Sequence, residues 1–167
     1  MLTLRTHQPG DLGWIISTHG EIYSREFGFD GSFEINIADK VLKYFSTEDD
    51  FNRVWIAMVD DKRAGSVAVR ALSEATAFVN FVVVLNEFRG QGIARSLMDG
   101  MIEHVRKHRY QKIRLETFTC LEVARELYRD LGFTVIENSV IHAFGRDLTR
   151  EFWELTLQGS LDNALRA

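Results

Sequence analysis

Ala77-Phe78-Val79-Asn80-Phe81-Val82-Val83-Val84-Leu85 runs directly into Asn86-Glu87-Phe88-Arg89-Gly90-Gln91-Gly92-Ile93-Ala94-Arg95. The first run is almost wholly apolar, the composition of a strand covered on both faces and therefore of the middle of a sheet. The second is polar, carries Gly90 and Gly92, and opens an amphipathic helix. Its apolar residues Ile93, Leu97, Met98, Met101, Ile102 and Val105 recur at three and four residues as far as His108. Lys112 to Thr117 reads as another strand. Strands joined through a helix lie parallel with a right-handed crossover, so this stretch predicts a strand, loop, helix and strand unit.

Working outward, Val54 to Val59 is a second apolar strand, Asp60-Asp61-Lys62 a hairpin turn, and Ser66 to Ala71 the returning strand. Leu2 and Leu4 suggest a short first strand, and Pro9-Gly10-Asp11 a turn with Asp11 as a helix cap. The helix that follows carries Leu12, Ile15, Ile16, His19, Ile22 and Tyr23 on one face and stops before Gly28; His19 is expected to face the core. A second helix is predicted over Phe33 to Phe45, with Ile37, Val41, Leu42 and Phe45 as its apolar face. Downstream come a helix around Leu121 to Leu131 and closing strands near Phe133 to Glu137 and Phe152 to Leu157. The expected architecture is α/β: one domain over 1–167, a mixed sheet with helices on both faces, in the order β-α-α-β-β-β-α-β-α-β-β.

Composition agrees with one ordinary domain. The 167 residues are 46% hydrophobic with a net charge of −4, and contain one proline, Pro9, so no Pro-rich linker divides them. A chain of this size buries about two-thirds of its unfolded surface, which argues against disorder. The acidic balance argues against a nucleic-acid partner held by bulk positive charge. Cys120 is the single cysteine, which removes the cystine-stapled secreted class, and a packed, inert thiol is expected. The longest stretch free of Asp, Glu, Lys and Arg, Ala75 to Asn86, is too short to cross a bilayer as a helix. Met1 to Asp11 has no apolar core of signal-peptide type. A soluble cytoplasmic protein is therefore expected, with no membrane partner; its oligomeric state is left open, a homodimer included.

The loop from Arg89 to Arg95 lies where a helix begins, with unpaired amides and the positive end of the helix dipole. Glycines let backbone approach a phosphate closely, and Arg89 and Arg95 can add charge-assisted bonds. A dinucleotide fingerprint would need glycine or alanine where Arg95 stands, and a Walker loop would need Gly-Lys-Ser/Thr. The pattern Arg/Gln-x-x-Gly-x-Gly/Ala is matched by Arg89, Gly92 and Ala94. Tyr128 follows 39 residues after Arg89, in Leu127-Tyr128-Arg129-Asp130-Leu131-Gly132-Phe133.

On these two motifs the chain resembles the GNAT superfamily of N-acetyltransferases, which use acetyl-coenzyme A. A narrower resemblance, carried by His19-Gly20-Glu21-Ile22-Tyr23-Ser24-Arg25-Glu26-Phe27-Gly28 and by His142-Ala143-Phe144-Gly145-Arg146-Asp147-Leu148, is to the acetyltransferase halves of MarR-type regulator/acetyltransferase fusions. Because the strands and helices consume the chain, no DNA-binding half is expected beside it.

The resemblance implies that Arg89, Gly90, Gln91, Gly92, Ile93, Ala94, Arg95 and Ser96 bind the cofactor's pyrophosphate. Phe81, Val82, Val83 and Val84 would present free amides to its pantetheine arm and thioester. It also implies Tyr128 as the acid that protonates the departing thiolate, without a covalent enzyme intermediate. Base candidates are Glu116, Glu21, Glu26 and His142, with a water relay as the alternative. Tyr23, Glu26, Phe27, Phe29, His142 and Phe144 are expected on the acceptor side, and aromatic walls with carboxylates suit a small cationic or amphipathic amine. Phe118 stands where relatives carry an asparagine that binds the coenzyme A arm. Thr119 can replace that bond, or its loss weakens binding by about 1 kcal/mol. No pair of histidines is read as having metal-ligand spacing, so no metal is expected. The competing expectation is a catalytically silent domain that binds coenzyme A or another ligand as a sensor.

Overall fold

The computed structural model describes residues 1–46 and 48–157. The elements are β1 (Leu2–Thr6), α1 (Asp11–Phe27), α2 (Gly31–Phe45), β2 (Arg53–Val59), β3 (Lys62–Ala71), β4 (Thr76–Val84), α3 (Ile93–Lys107), β5 (Lys112–Phe118), α4 (Glu122–Asp130), β6 (Thr134–Ala143) and β7 (Arg146–Thr156), in the expected order. One seven-stranded sheet runs β1-β2-β3-β4-β5-β7-β6, with the apolar β4 at its centre. β4 and β5 are parallel, as expected for strands joined through a helix; the other neighbouring pairs are antiparallel.

Each face of the sheet is covered by a helical layer. On one, Ile15 of α1 and Phe33, Ile37 and Val41 of α2 pack over Val54, Ile56 and Ala68. On the other, Leu97, Met98 and Met101 of α3, all fully buried, pack over Val67, Val69 and Val79 with Tyr128 of α4 and Trp153 of β7. Each such side chain contributes about 1.5–3 kcal/mol, enough to dock α3 although its outer face is polar. His19 is buried, with Nδ1 2.7 Å from the Ile15 carbonyl oxygen.

Four local expectations are corrected. Gly10, at φ 95°, is the N-cap of α1, and Asp11 begins the helix with its carboxylate turned inward. That buried carboxylate accepts from the Gln8 amide at 2.6 Å, from Arg5 at 2.6 Å and from Arg63 at 2.7 Å. The buried stripe of α2 is Phe33, Ile37, Val41 and Tyr44, which leaves Leu42 and Phe45 exposed. The closing strands are longer than expected and form a hairpin whose turn, Phe144-Gly145, has positive φ at both residues. His104 and His108 lie one turn apart on α3, a spacing seen in metal sites. One nitrogen of each ring meets a backbone carbonyl: His104 Nε2 lies 2.8 Å from the Phe51 oxygen and His108 Nδ1 2.8 Å from the His104 oxygen. Among the described residues no three His, Cys, Asp or Glu side chains cluster as a metal site, and no helix is long and apolar enough to cross a membrane.

Candidate active site

The site arises where the central strands part. β4 and β5 pair from Thr76 with Lys112 to Val79 with Leu115 and no further, while β5 continues alongside β7 as far as Phe118. The cause lies in β4. Phe81 sits at φ 58°, and β4 holds an extra residue against β3 there, so the strand bulges and turns away from β5. Positive φ strains a phenylalanine, and its surroundings compensate. The Ser66 hydroxyl donates to the Phe81 carbonyl oxygen at 2.6 Å, and the buried ring packs on Tyr44 with 5.2 Å between centroids. Gly65 permits the approach of the two strands, since a Cβ there would stand 2.6 Å from the Val83 carbonyl oxygen.

The opening is a cleft of about 970 Å³. Phe81 to Val84 form its β4 edge, where the expected segment loses its strand partner. At one end lies the turn before α3, with Gly90 and Gly92 at φ 76° and 75° and nothing within 4 Å of a Cβ on either. Among the described residues, the amides of Gly90 through Arg95 donate to no protein acceptor; the first helical bond is from Ser96 to the Gly92 carbonyl. Six successive free amides at a helix N-terminus are a donor set that fits an anion. The fit rests on these amides rather than on the arginines. Arg89 is held by Glu26 of α1 through two bonds, at 2.7 and 3.0 Å, and donates Nε to the Val84 carbonyl at 3.1 Å, so it fastens the loop to α1. Arg95 lies 3.4 Å from Asp99 on its own helix.

Tyr128 lines the cleft, and among the described residues its hydroxyl makes no hydrogen bond to the protein. Burial, with Tyr23 nearby, pushes its pKa upward, so the phenol keeps its proton throughout the neutral range. Tyr23, on the α1 wall, is pushed up to about 12, first by burial and then by Cys120 and Glu26, with Arg89 opposing. Cys120, half-buried, also lines the cleft, and burial raises its thiol too, with Arg146 opposing. Burial pulls His19 down to about 4, against its bond to Ile15 and with help from Lys40, so this imidazole is neutral.

Glu116, Tyr23, Glu26, Phe27 and Phe144 all line the cleft, as do Arg89, Gly90, Gly92, Ile93, Ala94 and Arg95. Glu26 does so as the ion-pair partner of Arg89, not as a free carboxylate. Phe29 lies beneath the wall, stacked on Phe144 at 5.3 Å. Gln91, Ser96 and Thr119 contribute no side chain to the lining. His142 is not brought to the cleft either: on β6, Ile141 and Ala143 face the cavity, and His142 points the opposite way, to the exposed Asp147 at 2.7 Å. Phe118 is explained by packing, edge-on to Phe29 at 5.8 Å and to Phe144 at 6.2 Å.

Two groups were missed by sequence reasoning. Among the described residues, the Thr117 hydroxyl and Arg150 Nε are buried without a hydrogen-bond partner, and both residues line the cleft. Alternation along β5 is the signal for Thr117. If buried Leu115 faces α3, residue 117 faces the same way, at the point where β4 has left.

The model of the acetyltransferase (GNAT) family matches residues 17–133. Among relatives, human N-acetyltransferase 8B is 30% identical over 97 residues, covering 55% of this chain and 43% of that protein. The N-acetylaspartate synthetase of Rattus norvegicus is 36% identical over 80 residues, 47% of this chain and 27% of that protein. The chain thus spans less than half the length of these curated relatives. In fold it is similar to an N-acetyltransferase of Staphylococcus aureus, with a TM-score of 0.79, 15% identity, and 95% and 99% of the two chains covered. It is also similar to the Salmonella typhimurium protein yncA, solved with its cofactor acetyl-CoA, at a TM-score of 0.76, 18% identity and 94% of each chain. With its model matching residues 17–133, which include the loop from Gly90 to Arg95 and Tyr128, the chain belongs to the acetyltransferase (GNAT) family.

Proposed function

We propose that the protein transfers an acetyl group from acetyl-CoA directly to a primary amine. The observation that carries the reading is that the loop from Gly90 to Arg95, whose amides are unpaired among the described residues, lines the same cleft as Tyr128. Acetyl-CoA supplies a thioester whose C–S bond breaks as the C–N bond to the acceptor forms. The cradle holds the diphosphate, and the open edge of β4 from Phe81 to Val84 takes the pantetheine amides and polarises the carbonyl. Thr117 offers the hydrogen bond that Phe118 cannot, from one position earlier on β5. Glu116, at the cleft and without an ion-pair partner among the described residues, holds the incoming ammonium and takes its proton directly or through water. Tyr128 gives its proton to the leaving sulfur and is restored by the proton the new amide sheds.

The kinship to the acetyltransferase halves of MarR-type fusions is part of this reading. It is supported by contact between its two signature segments: Arg146 donates to the Phe27 carbonyl at 2.5 Å. A sensor that binds coenzyme A without turnover is the second reading, favoured by the capture of Arg89 by Glu26. Free-thiol release from acetyl-CoA across a panel of amino acids, diamines and peptides separates the two. Release dependent on the amine is expected; cofactor binding with no release on any amine establishes the sensor.

A further inference from the structure

Beside the cleft lies a second groove of about 640 Å³, which shares Lys40, Asn80 and Glu116 with it. The floor is the sheet between β3 and β7, and the walls are α2 and β6. These walls carry opposite charge. α2 and β3 contribute Lys40, Lys43 and Arg70; β5 and β6 contribute Glu116 and Glu137. Lys43 is paired with Asp39 at 2.9 Å, and the groove's Arg114 with Glu154 at 2.7 Å. Among the described residues, Lys40, Arg70, Glu116 and Glu137 have no ion-pair partner; Arg70 lies 4.9 Å above the Phe78 ring. Free cations therefore stand on one side and free carboxylates on the other. A purely cationic amine would meet Lys40 and Arg70, and a plain anion would meet Glu116 and Glu137. A molecule carrying both charges is complementary to both walls.

We infer that the acceptor is a zwitterion of the amino-acid class, its ammonium held at Glu116 and its carboxylate at Arg70 and Lys40. In this orientation the ammonium at Glu116, which belongs to both cavities, sits at the cleft, and the carboxylate reaches Arg70, which lines the groove alone, beside the shared Lys40. This rests on the acetyl-transfer reading of the cleft, and it replaces the cationic acceptor expected from sequence. One ground for that expectation is gone, because the Glu26 carboxylate is paired with Arg89.

The test has a binding arm and a turnover arm. L-Leucine, L-phenylalanine, L-glutamate and their α-carboxamides are titrated calorimetrically into wild type and Arg70→Met, and the same compounds and a diamine are offered with acetyl-CoA. The free acids are expected to bind about tenfold more tightly than their amides, the loss of one charge-assisted hydrogen bond. They should show a similar advantage in kcat/KM, carried by KM, although the amides have the less basic and more readily deprotonated amine. Arg70→Met should erase the preference, and Lys40→Met, at a half-buried position of α2 that lines both cavities, serves if Arg70→Met fails to fold. Amides or the diamine bound and acetylated as well as the acids, or a preference unchanged in both variants, overturns the inference and leaves acetyl transfer standing. Selective binding of the acids with no thiol released on any amine overturns acetyl transfer and leaves the groove reading standing.

Discussion

Gly65→Ala tests whether close backbone approach between β3 and β4 holds the cleft open. An added Cβ would lie 2.6 Å from the Val83 carbonyl oxygen, 3.2 Å from Val84 Cγ2 and 3.3 Å from Leu97 Cδ1. Non-bonded carbon atoms pack at about 3.5–4.0 Å, so β4 must move by roughly 1 Å at its bulge. The nearest obstacle is backbone in the sheet's centre, not a side chain that can swing aside. Overpacking of this kind costs about 1–3 kcal/mol. At this chain length each kcal/mol lowers Tm by about 2–4 °C, giving a fall of about 2–12 °C. The displaced segment also carries the Ser66 bond to Phe81 and the open edge of β4, so coenzyme A affinity should fall with stability. Thermal denaturation and calorimetric titration measure the two. Gly13→Ala is the control: nothing among the described residues lies within 4 Å of its Cβ and the position is exposed in the first turn of α1, so stability should rise by up to about 1 kcal/mol. A Gly65→Ala protein with wild-type Tm and affinity would refute the placement of the bulge.

Three further outcomes follow from the same geometry. Tyr128→Phe should lower kcat by about 10²–10⁴-fold with little change in coenzyme A affinity. Because burial raises the Tyr128 pKa, the wild-type rate should show no falling limb up to about pH 9.5, and such a limb lost in the variant would contradict the raised pKa. Thr117→Val keeps shape and removes the orphan hydroxyl; coenzyme A should bind about fivefold more weakly, while unchanged affinity places the arm elsewhere. Asp11 is held down to about 2: burial alone would raise it, but Arg5, the Gln8 amide and Arg63 together outweigh that. Its stabilisation is thus complete above the unfolded carboxylate pKa and lost as pH falls from about 4 toward 2. The Tm gap between wild type and Asp11→Asn should accordingly shrink over that range.

What the sequence revealed, and what it hid, both have physical causes. β4 and α3 were legible because each is buried along a continuous run or a regular stripe, so hydrophobicity reports their period directly. β6 was cut short because almost every residue from Thr134 to Val140 is exposed. Its strand character comes from pairing with β7, which leaves no apolar alternation. At the site, a loop whose function lies in backbone amides was readable from Gly90 and Gly92. Side chains placed by strand parity were not: one residue separates Ile141, at the cleft, from His142, outside it, and a single shift of face decides such placements. Glu26 shows a third limit. A carboxylate on the correct helix face was identified, but its capture by Arg89, 63 residues away, is a long-range pairing no local pattern reports.

The central claim is that the amides from Gly90 to Arg95 hold the diphosphate of coenzyme A, and backbone NMR reads it most directly. In a titration of ¹⁵N-labelled protein with coenzyme A, the amide resonances of Gly90, Gln91, Gly92, Ile93, Ala94 and Arg95 are expected to move downfield, saturably and together. They should move less when the ligand is pantetheine, which lacks the diphosphate. Saturable binding of coenzyme A that leaves these six amides unmoved would contradict the cradle and the donor site built upon it.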